Sequence, residues 1–257
     1  MMKIENVTKM KGVQHLYDKK ESKGIATITK FDYDAKENAL FHMRNLINNG
    51  PLFHMYNGTY IRLHVNGELM MSDTAMERIS NTNIVNEARG KVLIAGLGIG
   101  LIIQAMLEKE EVTEILVIEK YQDVIDLVKP KFNNPKLKIV CADIFKYIPA
   151  SKYDIIYFDI WPIIDTENLE EIETLENKYK LFLNENGFMD SWMKKYLIIQ
   201  QGIEDGTICE DCGKPNEECE CELCECCDEK LNSEGLCDFC NCSECGELTE
   251  DCTCYDE

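Results

Sequence analysis

Lys91-Val-Leu-Ile-Ala95 running directly into Gly96-Leu-Gly-Ile-Gly100 is the stretch that decides the fold. The apolar run has the length of a buried strand, and residues 101–109 after it keep helical spacing. Between them the alternating glycines let the backbone turn sharply and come close to a ligand beside the start of the helix. A dinucleotide site would prefer its third glycine one residue later, where Leu101 stands. The G-x-G-x-G form suits an adenosyl ligand with no pyrophosphate.

The same alternation continues downstream. Residues 114–118 form a second apolar run that closes in Glu119, and 123–128 read as a helix. A third strand at 136–140 ends near Asp143, and a fourth at 153–158 closes in Asp159-Ile-Trp-Pro162. Leu169, Ile172, Leu175 and Tyr179 keep helical spacing, and Gly187 is placed to end that region. Strand and helix alternating in this way predict an α/β class with a Rossmann-like parallel sheet covered on both faces. In such sheets ligands bind at the carboxyl ends of the strands. Glu119, Asp143 and Asp159 all stand at those ends.

Upstream, residues 24–30 alternate as a short strand and 38–48 read as a short helix. Residues 60–65 and 68–71 flank Asn66-Gly67, a strong hairpin signal. Ser72-Asp73 is placed to cap a helix running from 74 towards 84. The expected organisation is a mostly-β lead-in (1–75), a nucleotide-binding domain (76–202) and a Cys-rich tail (203–257).

Each carboxylate has a chemical role open to it. Glu119 can accept hydrogen bonds from both ribose hydroxyls. Asp143 can accept from an adenine amino group, or serve only as a loop or helix cap. Asp159 can cap a helix, or act catalytically by taking a proton from an incoming amine near a sulfonium cation. Trp161 can add a cation–π contact or simply pack. Cys141 reads as an inert buried thiol.

The formal charge of −20 belongs to the tail. Residues 201–257 hold 19 of the 47 acidic residues and only Lys214 and Lys230 among the bases, leaving 28 acids against 25 bases before them. That acidity argues against nucleic acid as a partner, since phosphate binding needs clustered bases. Lysines 120, 129, 131, 136 and 138 read as a solvated face. No apolar run is long enough to span a membrane, and the start has no apolar signal core, so the expected compartment is the cytoplasm.

Thirteen of the fourteen cysteines lie in the tail. Cys209-x2-Cys212-Gly213-x5-Cys219-x-Cys221 recurs as Cys242-x2-Cys245-Gly246-x5-Cys252-x-Cys254, and Cys224-x2-Cys227 and Cys237-x2-Cys240 lie between the copies. Groups of four thiolates suit tetrahedral zinc, so twelve ligands predict about three ions, with Cys226 left over or exchanging with Cys224 or Cys227. A loose metal buffer or an iron–sulfur site are the other readings. With few apolar residues there, metal has to supply most of the folding free energy. The tail's charge favours a basic protein partner.

Val92-Leu-Ile-Ala-Gly-Leu-Gly-Ile-Gly100, Val117-Ile-Glu119, Ala142-Asp143 and Tyr157-Phe-Asp-Ile-Trp-Pro162 together resemble the ordered motifs of class I S-adenosylmethionine-dependent methyltransferases. Residues 60–73 resemble the hairpin that precedes the nucleotide fold in the spermidine synthase-like branch. Met71-Ser-Asp-Thr-Ala-Met-Glu-Arg78 with Asp159-Ile-Trp-Pro162 also resembles uncharacterised methyltransferase-like proteins of bacteria and phages. The resemblance covers about residues 55–200. It implies S-adenosylmethionine held by Gly96, Gly98, Gly100, Glu119, Asp143 and Asp159, with Asp159 catalytic and a small molecule or protein as acceptor. Spermidine synthases typically carry an aspartate in the glycine loop, where this chain has Leu97 and Ile99. They carry a second one after the fourth strand, where this chain has Trp161-Pro162, and Met70 or Met71 falls where they place a cofactor-contacting glutamine. These departures weaken aminopropyl transfer from the decarboxylated cofactor, which stays as the alternative reaction. A non-catalytic nucleotide-binding body with a zinc-dependent interaction tail is the alternative from another class.

Overall fold

The structure is a computed structural model that describes residues 10–34, 36, 55–210 and 213–219. It divides into two compact units, Met1–Lys194 and Lys195–Glu257. The predicted helix at 38–48 lies outside the described residues.

The first unit opens with an antiparallel sheet of four strands in chain order: β1 (Lys20–Lys23), β2 (Ala26–Tyr33), β3 (Gly58–Val65) and β4 (Glu68–Ser72). At the β3–β4 turn Asn66 has φ 53° and Gly67 φ 85°. Two consecutive positive values are what a two-residue type I′ hairpin requires. The single strand expected at 24–30 is instead a turn followed by β2. Gly24 and Ile25 link β1 to β2, and the Ile25 N–H donates to Asp123 Oδ2 at 3.0 Å.

Two short helices follow, α1 (Ala75–Ser80) and α2 (Thr82–Glu87), where one helix from 74 to 84 was expected. The break is at Asn81, which is fully buried. Its Nδ2 donates back to the Glu77 carbonyl at 3.0 Å, and its Oδ1 accepts from the Tyr157 hydroxyl at 2.8 Å. A side chain that competes for backbone partners is a recurrent helix interruption. Asp73 does not cap α1: its carboxylate accepts from the Ile61 and Val13 N–H groups at 2.7 and 3.2 Å and faces Arg78 Nη2 at 3.5 Å. Burial pushes the Asp73 carboxyl upward against the pull of these partners.

The second sheet is assembled from β5 (Gly90–Ala95), α3 (Leu101–Leu107), β6 (Val112–Glu119), α4 (Gln122–Val128), β7 (Leu137–Cys141), β8 (Tyr153–Phe158), α5 (Asn168–Tyr179) and β9 (Leu183–Ser191). Its five strands are all parallel and run in the order β7-β6-β5-β8-β9. This is the expected Rossmann-like sheet with one strand more than the sequence reading found. Gly187, expected to end the α5 region, lies inside β9. The helix is ended instead by a tight turn over Lys180–Phe182.

The two sheets share one core. Ala26, Ile28, Ile61, Leu63 and Val65 from the antiparallel sheet belong to the same buried cluster as Val92, Ile94, Ile115 and Val117 from the parallel one. Each Ile, Leu and Val among them contributes about 1.5–3 kcal/mol on burial, so the lead-in is held by hydrophobic burial against the nucleotide fold. Cys141 corrects an expectation: it ends the edge strand β7 and is exposed, with its Sγ 3.7 Å from the Lys120 carbonyl. The five lysines are dispersed in part into specific bonds, with Lys131 paired to Glu21 and Lys138 to Glu114, both at 2.8 Å.

The second unit contains most of α6 (Lys194–Glu204) and the start of the tail. Gly213, with φ 65°, donates its N–H to the Cys209 carbonyl at 2.8 Å, and Cys209 donates to the Lys214 carbonyl at 2.8 Å. Cys209 is buried and Cys219 half-buried. Ligand candidates Cys212, Cys221, Cys224, Cys227, Cys237, Cys240, Cys242, Cys245, Cys252 and Cys254 lie outside the described residues. Among the described residues there is no group of three or more His, Cys, Asp or Glu able to hold a metal ion. No helix among them is long and apolar enough to cross a membrane.

Candidate active site

The strand order reverses between β5 and β8, and a crevice opens there at the carboxyl ends of the strands. The two chains that leave this point are locked together. Asp159 donates its N–H to the Ala95 carbonyl at 2.9 Å, and Gly96 donates to the Ile118 carbonyl at 2.9 Å. Gly96 has φ 96°, and a Cβ there would collide with the Asp159 carbonyl oxygen. A glycine is therefore required at 96 for both conformation and space.

The crevice widens into a cleft of about 380 Å³ between the β3–β4 hairpin and the ends of the parallel strands. Gly96, Gly98, Glu119, Asp143 and Asp159 all line it, so the structure brings five of the six expected cofactor residues to one hollow. Gly100 is not among the lining residues. With φ 77° it enters α3, and a Cβ there would strike the Phe132 ring at 2.5 Å. Its glycine is explained by packing.

The glycine loop is closed from the hairpin side by Met71. The Ile99 N–H points at Met71 Sδ at 3.2 Å, and a Cβ on Gly98 would collide with that sulfur. Met70, Met71, Leu63 and Val65 give the cleft an apolar wall.

Glu119 is 7% exposed. Its Oε2 accepts from the Leu97 N–H at 2.9 Å and its Oε1 from the Tyr121 N–H at 2.8 Å. These bonds tie the glycine loop to the end of β6, and the remaining lone pairs can accept from a ligand. Burial pushes the Glu119 carboxyl upward, against the stabilising pull of those N–H groups. Asp143 accepts from the Phe145 N–H at 2.9 Å through Oδ1, a loop-capping bond that leaves its other oxygen for the cleft.

Asp159 is the most perturbed lining group. Loss of water around its carboxyl raises its pKa from 3.8 to about 7. Trp161 is buried against the cleft, and its Nε1 donates to Glu171 Oε2 at 2.7 Å. Packing and that bond fix the indole.

Sequence reasoning missed Glu68, Lys120 and Glu171 as lining residues, and the buried Glu77, whose carboxyl burial and the charge of Asp159 push upward. Glu68 was accessible to it, because it begins the strand after the Asn-Gly turn. Glu171 reads on sequence as a solvent-facing position of α5. Five carboxylates (Glu68, Glu119, Asp143, Asp159, Glu171) and one base (Lys120) line the cleft, an environment that favours cationic ligands.

No family model and no curated protein matches this chain. Among solved structures it is similar to spermidine synthase from Thermotoga maritima (18% identity, 67% of this chain and 55% of that one, TM-score 0.41). It is similar also to an S-adenosylmethionine-dependent methyltransferase from Clostridium acetobutylicum (20% identity, 44% and 46%, TM-score 0.31) and to DhpI in its SAH complex (17% identity, 45% and 52%, TM-score 0.34). The chain spans about half the length of each of these three.

Proposed function

We propose that this protein is an S-adenosylmethionine-dependent methyltransferase whose cofactor lies in the cleft at the β5–β8 switch point. The observation that carries this reading is the gathering of Gly96, Gly98, Glu119, Asp143 and Asp159 around one hollow of about 380 Å³. The residues fit an adenosyl group. Gly96 and Gly98 present backbone without side chains, and Glu119 and Asp143 line the cleft where they could accept from ribose hydroxyls and an adenine amino group. When bound, the cofactor supplies a methyl group made electrophilic by its sulfonium.

The chain's own residues then do three things. The loop and Glu119 hold the adenosyl end, so that the reacting carbon is presented in one orientation. Met71 and the hairpin strands exclude water from one side. Asp159, as carboxylate, takes the proton that a protic acceptor sheds as it is alkylated.

A second reading is aminopropyl transfer from the decarboxylated cofactor. The observation in its favour is the charge of the lining, since five carboxylates against one lysine suit a ligand with two positive charges and no carboxylate. Product analysis separates the two. S-adenosylhomocysteine marks methyl transfer, and methylthioadenosine marks aminopropyl transfer. Formation of neither, with a range of amine, hydroxyl and protein acceptors, would favour a non-catalytic binding module.

For the tail we propose structural zinc held by twelve of the thirteen cysteines from Cys209 to Cys254, leaving Cys226 over and forming a docking element for a basic protein. The repeated Cys-x2-Cys-Gly-x5-Cys-x-Cys pattern and the turn at Gly213 support it. Elemental analysis of purified protein should find about three zinc ions per chain; no metal, or iron with visible absorbance, would refute it.

A further inference from the structure

Ile99 is fully buried within the glycine loop, and the lead-in holds the peptides on both sides of it. The Tyr17 hydroxyl donates to the Ile99 carbonyl at 2.7 Å, from 82 residues upstream. The Ile99 N–H donates to Met71 Sδ at 3.2 Å. Tyr17 follows a single turn over Gln14–Leu16, and Met71 lies in β4. Both are anchored at Asp73, just after β4. Its Oδ2 accepts from the Val13 N–H ahead of the turn at 3.2 Å, and its Oδ1 from the Ile61 N–H on β3 at 2.7 Å. The Tyr17 ring is fixed as well. It is 3% exposed, and Lys131 Nζ stands 5.1 Å from its centroid while bonding Glu21 at 2.8 Å.

These contacts decide what the loop can offer a ligand. The Gly96 N–H is taken by the Ile118 carbonyl at 2.9 Å and the Leu97 N–H by Glu119 at 2.9 Å. The Ile99 N–H is taken by Met71, and the Gly100 N–H by the Leu97 carbonyl at 3.0 Å. From 96 to 100 only the Gly98 N–H has no partner among the described residues, and Gly98 lines the cleft. Its direction is tied to Tyr17 through two peptide planes. In a planar trans peptide the C=O and N–H point opposite ways, so fixing one fixes the other. Tyr17 holds the Ile99 carbonyl; the same plane carries the Gly100 N–H, which holds the Leu97 carbonyl; and that plane carries the Gly98 N–H.

We propose that Tyr17 is a positioning residue for cofactor binding, which through the Ile99–Gly100 and Leu97–Gly98 peptides aims the one open N–H donor of the glycine loop. The inference rests on the cofactor reading of the cleft given above. Tyr17 is not among the residues that line the cleft, so its effect on a ligand there has to pass through the loop. Burial, with the charges of Glu21 and Asp73, pushes its phenol far upward, so the hydroxyl stays a donor across the physiological pH range. Without that donor the Ile99 carbonyl is left buried and unpaired, and glycines on either side give the loop freedom to turn away.

The test is Tyr17→Phe, which keeps the ring and removes only the hydroxyl. The control is Tyr60→Phe, which removes another buried hydroxyl donating to a backbone carbonyl, that of Tyr56 at 2.6 Å, in a separate cluster. Calorimetric titration with S-adenosylmethionine should show binding weakened about tenfold in Tyr17→Phe and unchanged in Tyr60→Phe. In the product assay the KM for cofactor should rise while kcat at saturating cofactor is kept. Equal weakening in both variants, or none in Tyr17→Phe, would overturn the proposal. A second measurement needs no ligand: the Gly98 amide resonance should move in Tyr17→Phe and stay in Tyr60→Phe. An unmoved Gly98 resonance would overturn the proposal even if cofactor binds. Wild-type protein that binds no cofactor would instead refute the reading of the cleft, with the resonances still deciding the link from Tyr17 to Gly98. Should Tyr17→Phe not fold, Lys131→Met, which removes the cation over the Tyr17 ring, takes its place in both measurements with about threefold weakening expected.

Discussion

Replacing Asp159 with asparagine should make the protein more stable at alkaline pH while removing its activity. The carboxyl titrates at about 7 in the folded state against 3.8 for an unperturbed aspartate. The folded protein therefore binds a proton more tightly than the unfolded chain does. Between those two values stability falls as pH rises, and above the folded value the whole penalty is present. A gap of roughly three pH units at about 1.4 kcal/mol each sets a ceiling of about 4 kcal/mol. Contact of Asp159 with the water of the cleft lowers the expected effect to about 2 kcal/mol. Urea unfolding followed by the fluorescence of Trp161 and Trp192, both within the first unit, measures it. The comparison is made at about pH 5 and about pH 9, so that packing costs of the asparagine, which do not depend on pH, cancel between the two. Because about a third of the penalty is already present at pH 5, Asp159→Asn should gain on wild type by about 1 kcal/mol between the acid and the alkaline measurement. An equal difference from wild type at both pH values would refute the reasoning. Trading stability for a strained functional group is a common feature of active sites.

Other perturbations probe the scaffold around the site. Arg78→Leu leaves the Asp73 carboxylate buried without its cation, which should cost about 3–5 kcal/mol in urea unfolding at neutral pH; a loss below about 1 kcal/mol would show that the Ile61 and Val13 N–H groups suffice alone. Gly98→Ala places a methyl group against Met71 Sδ at a position with φ 50°. It should cost about 1–2 kcal/mol in stability and weaken cofactor binding by about tenfold or more in a calorimetric titration. Wild-type affinity in that variant would mean that the loop does not shape the site.

Much of this site is written in local sequence. The apolar runs at 91–95, 114–118 and 153–158 became β5, β6 and β8 because strands buried on both faces carry uninterrupted apolar side chains. Glu119 and Asp159 were legible as strand-end carboxylates, and Asn66-Gly67 as a turn needing two positive φ values. The rest depended on contacts distant in sequence. β9 is an edge strand of mixed polarity, Leu183-Asn-Glu-Asn-Gly-Phe-Met-Asp-Ser191, and its glycine reads as a terminator when no neighbour is in view. The break at Asn81 is caused by Tyr157, 76 residues away. Glu77 looks like a solvent-facing glutamate on a short helix, yet it is 5% exposed. Cys141 was misjudged because an apolar run does not reveal whether its strand is central or at the edge. At Gly100 sequence could read the turn but not the packing: Phe132 occupies the space that its missing side chain leaves.

Calorimetric titration of the 257-residue chain with S-adenosylmethionine, and with its decarboxylated form beside it, tests the cleft most directly. Saturable binding of one molecule per chain is expected, abolished by Glu119→Ala in a variant that still unfolds cooperatively. Absence of binding by either form, or binding that Glu119→Ala leaves intact, would contradict an adenosyl site beside Gly96 and Gly98.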